Sequence, residues 1–332
     1  MRTQYAIWLL TAALSFAFLS CEHSTESVET TTAPQLLFSV YGPHIQQGIY
    51  ASEKGGVAVI RLTPDSMFSP ARYSCSPDGE AILFAVYSNG NSDIWKITRR
   101  DRTLTRVTSG PAFDEGPQWL YDGSGFVFRS NRSGRYSVWM SDANGGNLRQ
   151  IAPDTGNTFW PSTSPKYPLI AYSMNGDTPY IYDYDRNILI PLAPDSLKTN
   201  ASSLAWALSG DKVAFESGHT LYTWSLTGGL QKGWIDEEYI WNPVWSPDGT
   251  EIAFNSYDRL EVVNLLSGKS RVVGYGMAYG GRSSWSPDGN RIAFESLNRP
   301  CIVMVPPDGR WNLGVPVGEN AAVAPQWINA IW

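Results

Sequence analysis

Histidine is nearly missing from this chain, with three copies in 332 residues at positions 23, 44 and 219. A protein-held metal needs several nitrogen, sulfur or oxygen ligands converging on one point. His23 lies in a polar N-terminal stretch, and His44 and His219 fall in distant repeats, so no metal site is expected. Cysteine is as scarce, at positions 21, 75 and 301. Cys75 and Cys301 belong to repeats that are not neighbours, so they are expected as small apolar core residues rather than a disulfide. No basic run exists: 25 Lys and Arg stand against 31 Asp and Glu, net charge −6. That balance excludes nucleic acid as a partner, because neutralising phosphates takes clustered cations. Long helical periodicity is absent, and the apolar run from Tyr5 to Phe18 is too short for an ordinary membrane span. There is no G-x-S-x-G nucleophile elbow. Gly274-Tyr275-Gly276-Met277-Ala278-Tyr279 has tyrosine where a dinucleotide fingerprint needs its third glycine. No cofactor is expected.

Tryptophan is abundant instead, with 14 copies, beside 30 Gly and 22 Pro. The stretch from Val244 to Phe254 reads V-W-S-P-D-G-T-E-I-A-F, and S-W-S-P-D-G-N-R-I-A-F recurs from Ser284 to Phe294. A strand led by Trp, a Ser-Pro-Asp-Gly turn and a returning strand make one hairpin, with Pro, Asp and Gly each suited to its turn position. The equivalent marks are Cys75, Trp119, Thr163, Trp206, Trp245, Trp285 and Trp327, separated by 44, 44, 43, 39, 40 and 42 residues. The returning strand persists as Ile82-Leu83-Phe84, Phe126-Val127-Phe128, Leu169-Ile170-Ala171 and Val213-Ala214-Phe215.

A period of about 40 to 45 residues with four strands per unit is the signature of a β-propeller. Residues 36 to 63 read as strands two to four of a unit that lacks its first strand, while Ala324 to Ile328 reads as a first strand with nothing after it. Joining them closes the ring and removes its open edges. The expected fold is all-β: a seven-bladed β-propeller of four-stranded blades, with six blades as the alternative.

The repeat from Phe128 to Trp139, followed by Asp142-Ala143-Asn144-Gly145-Gly146-Asn147-Leu148-Arg149, resembles that of TolB-like, WD40-like propellers. Oligogalacturonate lyases and prolyl-oligopeptidase-like enzymes use similar propellers, but the former need a His-rich metal site and the latter an added hydrolase domain. The N-terminus, with Arg2, the apolar run and Phe18-Leu19-Ser20-Cys21, resembles a bacterial lipoprotein signal. The resemblance implies that 1–21 is a signal peptide and that Cys21 carries the lipid anchor; 22–35, rich in Ser, Thr and Glu without apolar periodicity, reads as a flexible tether before a propeller spanning 36–332. Glu22 after the cysteine is similar to outer-membrane sorting signals and favours that membrane over the inner one.

The connections from each fourth strand to the next first strand converge on one face around the channel, and loops on a rigid scaffold are where binding residues tend to lie. They supply Phe113, Asp114, Glu115, Phe159, Trp160, Tyr239, Trp241, Tyr279 and Arg282 as a candidate ligand-binding mouth, with Phe68, His44 and His219 nearby. Aromatic faces stack sugars or peptides while charged groups set polarity. No catalytic residue is expected. The function these observations favour is a non-catalytic binding or scaffolding propeller of the bacterial envelope that takes a protein or glycan; the alternative is a carbohydrate-active lyase or hydrolase with its site in the channel. Asp78, Asp122, Asp248 and Asp288 are assigned to their turns, since calcium needs about 6 to 8 oxygens around one point.

Overall fold

The computed structural model describes residues 35–40, 48–52, 59–64, 72–88, 90–153, 156–158, 160–175, 178–194, 201, 203–217, 219–235, 239–277, 281–296, 302–309 and 322–328. Cys21, Phe68, Phe159, Tyr279, His44 and Cys301 lie outside that set. Among the described residues of the unit from Thr32 to Trp332 the chain forms seven antiparallel sheets in a ring. Six sheets have four strands; the seventh, Ser283–Trp285, Ile292–Glu295 and Ile302–Val305, has three among the described residues.

Ring closure is the expected one. The strand Ala322–Ile328 pairs with Gln35–Val40, in the register Leu36 with Trp327 and Val40 with Ala322. It thus becomes the innermost strand of blade one, whose other strands are Gly48–Ser52 and Val59–Arg61. Blades two to seven then follow in chain order, each beginning at its first strand near the axis.

Every mark residue falls in the first strand of its blade, and the second strand shows why its triplet persists. Successive side chains of a strand point to opposite faces, and here both faces are covered by neighbouring blades. Ile252 and Phe254 pack toward the preceding blade, Ala253 toward the following one. Ile82 and Phe84 do the same against Leu83. Among the described residues one apolar cluster fills each of the seven junctions.

Blade four corrects the expected alignment by one residue. Thr163 pairs with Ile170 as Trp245 pairs with Ile252, so the triplet is Ile170-Ala171-Tyr172 and not Leu169-Ile170-Ala171. Ile170 and Tyr172 face blade three, and Ala171 faces blade five. A one-residue slip exchanges the two faces of a strand, and the tyrosine in place of phenylalanine hid the register.

The first strand adds a polar seam. The indole N–H groups of Trp206, Trp245 and Trp285 donate to the carbonyls of Ser162, Ala205 and Val244, each in the first strand of the preceding blade, at 3.0, 3.0 and 3.3 Å. Thr163 replaces tryptophan in blade four and makes the same junction with its hydroxyl, donating to the Trp119 carbonyl at 2.8 Å. Cys75 is a free thiol packed at the junction of blades one and two, and burial pushes its pKa up to about 12.

Candidate functional site

All seven first strands run from one face of the ring to the other, so the residue three positions before each mark stands at the same end of the channel. These residues are Arg72, Gly116, Trp160, Ser203, Asn242, Arg282 and Ala324. Arg72, Trp160, Ser203, Asn242 and Arg282, with Gln118, line a cavity of about 270 Å³ on the axis. A second cavity of about 390 Å³ lies beyond it at the end that carries the Ser-Pro-Asp-Gly turns, walled by Trp206, Trp245, Trp285 and Pro247.

Gly116 makes room for the aromatic wall of the upper cavity. Its φ is +58°, in a bulge of the strand Asp114–Trp119, and a Cβ there would sit 2.7 Å from Trp160 Cε3 and 3.3 Å from Arg72 Cδ. Only glycine fits both the backbone angle and the approach. The Arg72 guanidinium lies 3.6 Å from the Trp160 ring centroid and that of Arg129 4.9 Å, both within cation–π range. Arg129 also covers Tyr136 at 3.6 Å, donates to the Thr158 carbonyl at 3.0 Å and reaches Glu115 Oε2 at 3.5 Å. The Tyr87 hydroxyl donates to Glu115 Oε1. Burial raises the Tyr87 pKa well above the usual phenol range, with the Glu115 carboxylate adding to it.

Burial is the largest cause holding the Arg72 guanidinium below the usual arginine range; the charge of Arg282 follows, Arg129 adds to it, and Glu115 and Tyr87 oppose it. Arg282 is lowered as well, by burial first, with Glu295 and Tyr73 opposing. Both arginines stay protonated at any ordinary pH, so the upper cavity carries positive potential.

The predicted residues separate into three groups. Arg282 and Trp160 line the cavity, and Glu115 sits beside it. Asp114 is 1% exposed and is held inside blade three, accepting from Arg132 Nη2 at 2.8 and 2.7 Å and from Ser130 Oγ at 2.6 Å. Phe113 is bridged to Ser92 of blade two, and its amide donates to Asn131. Tyr239 and Trp241 belong to an aromatic run on the same face of the ring. His219 packs on Tyr239 at 4.5 Å, Tyr239 stacks on Trp241 at 5.7 Å, and Trp241 meets the edge of Tyr257 at 6.1 Å. Tyr239 is 46% and Tyr257 49% exposed. Tyr257 holds φ at +50°, a costly conformation for a bulky residue and one that concentrates at functional sites. Phe159 and Tyr279 lie outside the described residues.

Sequence reasoning missed Arg72, Arg129, Gln118, Asn242 and Tyr257. A signal existed for Arg72: it stands three residues before Cys75 as Arg282 stands three before Trp285. Arg129 and Tyr257 had none, because each reaches the face from a second-strand end or hairpin tip that the repeat leaves variable.

Among the described residues no group of three or more His, Cys, Asp or Glu could hold a metal ion. Among them no helix is long and apolar enough to cross a membrane.

Residues 48–187 match the family model described as the TolB beta propeller domain. The uncharacterized protein Atu1656 of Agrobacterium fabrum is 24% identical over 187 residues, 56% of this chain and 54% of that one. The match thus spans about half the length of that relative. TolB from Acinetobacter baumannii superposes with a TM-score of 0.58 at 14% identity, over 89% of this chain and 66% of that one. The periplasmic gluconolactonase PpgL of Pseudomonas aeruginosa gives 0.64 at 13% identity, over 89% and 99%. At such identities these structures share the fold and nothing finer. Residues 48–187 thus carry TolB-like propeller repeats, and the ring shares the β-propeller fold of these structures.

Proposed function

We propose that this chain is a non-catalytic binding or scaffolding propeller of the bacterial envelope, holding a protein segment or a glycan at the mouth of its channel. One observation carries the reading: the aromatic run His219, Tyr239, Trp241 and Tyr257, exposed at every ring but the half-buried Trp241, lies on the same face as a polar, arginine-lined opening. Exposed aromatics in an ordered row are apolar surface left uncovered, which marks interaction sites, and their faces suit sugar rings or peptide side chains. Anchoring through a lipid on Cys21, outer membrane rather than inner, belongs to the same reading. It is supported by the signal-like N-terminus and by the periplasmic setting of the gluconolactonase whose fold the chain shares.

The test is a glycan array together with a panel of envelope-protein peptides, applied to the full chain and to Trp241→Ala and Tyr239→Ala. Saturable binding that weakens roughly tenfold or more in both variants is expected, with melting temperatures within about 2 °C of the parent. Absence of any binder in both sets, or equal binding by the variants, refutes the reading. Labelling with a radioactive fatty acid that disappears in Cys21→Ala tests the anchor.

A second reading, a carbohydrate-active hydrolase or lyase working in the channel, is favoured by Glu115, a carboxylate with a phenol and a guanidinium beside it. Turnover of gluconolactone or a pectic oligosaccharide that Glu115→Gln abolishes would establish it over the binding role.

A further inference from the structure

The upper cavity brings together cations in excess of their counter-charges. Arg72 and Arg282 line it, Arg129 lies against Trp160 beside them, and Arg72 feels the charge of both other arginines; the carboxylates that oppose them are Glu115 and Glu295. Glu115 is already engaged by Tyr87 and Arg129. Among the described residues neither the Arg72 nor the Arg282 guanidinium has a hydrogen-bond or ion-pair partner, although both line the cavity. A guanidinium presents five N–H donors in its own plane, in a fork matched to carboxylate and phosphate oxygens. Arg72 is set on the face of Trp160, so its plane is held while its donors remain available to the cavity.

Burying like charges without partners is costly, and arginine cannot escape by losing its proton. Trp160 offsets part of that cost for Arg72 and Arg129, and Gly116 exists at φ +58° to admit the ring. The stacking on Trp160 and the side-chain-free Gly116 therefore support one arrangement, a positive pair aimed into a cavity of about 270 Å³ whose remaining wall is polar, with Gln118, Ser203 and Asn242.

We propose that Arg72 and Arg282 form an anion site that takes a carboxylate or phosphate group of the molecule bound at the channel mouth. The inference deepens the binding reading by assigning the ligand's chemistry: it is an acidic molecule, inserted charge first. The volume accommodates one small oxyanion-bearing group and leaves the rest of the ligand over the aromatic run.

Inorganic phosphate and acetate, titrated into the full chain at constant ionic strength and followed by calorimetry and melting temperature, are the probes. Saturable binding of at least one of them is expected, since a ligand that binds only the folded state raises its melting point. Affinity should fall roughly tenfold or more in Arg72→Gln and in Arg282→Gln. Arg72→Lys, which keeps charge but loses the fork, should recover only part. Arg100→Gln, exposed in a turn at the opposite end, should bind as the parent does. Which probe binds more tightly separates a phosphorylated ligand from a carboxylic one.

No saturable binding of either anion, or equal affinity in the arginine variants and the parent, overturns the proposal. The two readings fail separately. Phosphate or acetate bound through Arg72 with no glycan or peptide bound leaves the anion site standing and removes the mouth. A glycan or peptide bound through Trp241 with affinity unchanged in Arg72→Gln does the reverse.

Discussion

Trp206, Trp245 and Trp285 each face an alanine of the preceding blade, Ala171, Ala214 and Ala253, within the same apolar cluster. Where the mark is small the facing residue is larger: Cys75 packs with Leu37. Trp119 meets Leu83 instead of alanine, and its indole N–H has no partner among the described residues. The alanine lets the ring lie flat enough for its N–H to reach the preceding strand, so mark and facing residue share one volume. Interiors at crystal-like density punish a change in either alone. Ala253→Leu should cost about 1–3 kcal/mol by overpacking, and Trp245→Ala about 3–5 kcal/mol as a cavity. Urea denaturation of Ala253→Leu, Trp285→Thr and the double variant should show a favourable coupling of about 0.5–3 kcal/mol; additive losses would contradict the shared volume.

Turns are the elements whose chemistry repeats most faithfully. In three blades the serine hydroxyl of Ser-Pro-Asp-Gly donates to the aspartate at 2.5, 2.6 and 2.6 Å, and the same oxygen accepts the amide five residues on at 2.9 Å each time. The closing glycines hold φ near 71°, 70° and 71°. Hydrogen bonds from Ser76, Ser246 and Ser286 are the largest cause lowering the pKa of Asp78, Asp248 and Asp288, with backbone amides adding to it. A carboxylate whose folded-state pKa is lowered adds stability above its unfolded value near 3.9, and that stability is lost as pH falls through the folded value. Melting temperature should therefore drop below about pH 4, and less steeply in the Asp78→Asn, Asp248→Asn, Asp288→Asn triple variant; parallel curves would refute the assignment. The turn at Gly145 bolts two blades together. Its φ is +90° and a Cβ would lie 1.8 Å from the Val107 carbonyl oxygen of blade two. Gly145→Ala is expected to destabilise by more than about 1 kcal/mol in chemical denaturation, beyond ordinary glycine replacement.

For the molecule as a whole, closure is what makes the chain one cooperative body. Leu36 and Phe38 fill the junction between blades seven and one with Ala293, Ile302 and Met304. Phe38 is 1% and Phe254, at an interior junction, 0% exposed. A closed ring predicts that Phe38→Ala and Phe254→Ala each cost about 3–5 kcal/mol in one two-state transition. A much smaller loss for Phe38→Ala, or a separate early transition, would mean that the seam is open. The hybrid blade was legible because strand pattern and repeat period are local properties: residues 36 to 63 match strands two to four, and Trp327 carries the missing mark. The turns were legible for the same reason. Candidate site residues were legible only as far as the loops that hold them, as Asp114 and Arg282 show from neighbouring positions in equivalent connections. Asp114 turns into its own blade to meet Arg132, while Arg282 turns toward the axis. Sequence alone determined the blade, its turns and the spacing of the repeats, because a two-residue strand period and a steady spacing of marks are written along the chain; the pairing of Ala322–Ile328 with Gln35–Val40 decided seven blades over six. Tertiary structure decided that Arg72 and Arg282, 210 residues apart, line one opening and that Gly116 yields its space to Trp160. Such convergence depends on the ring's curvature and on packing between blades, which no local pattern encodes.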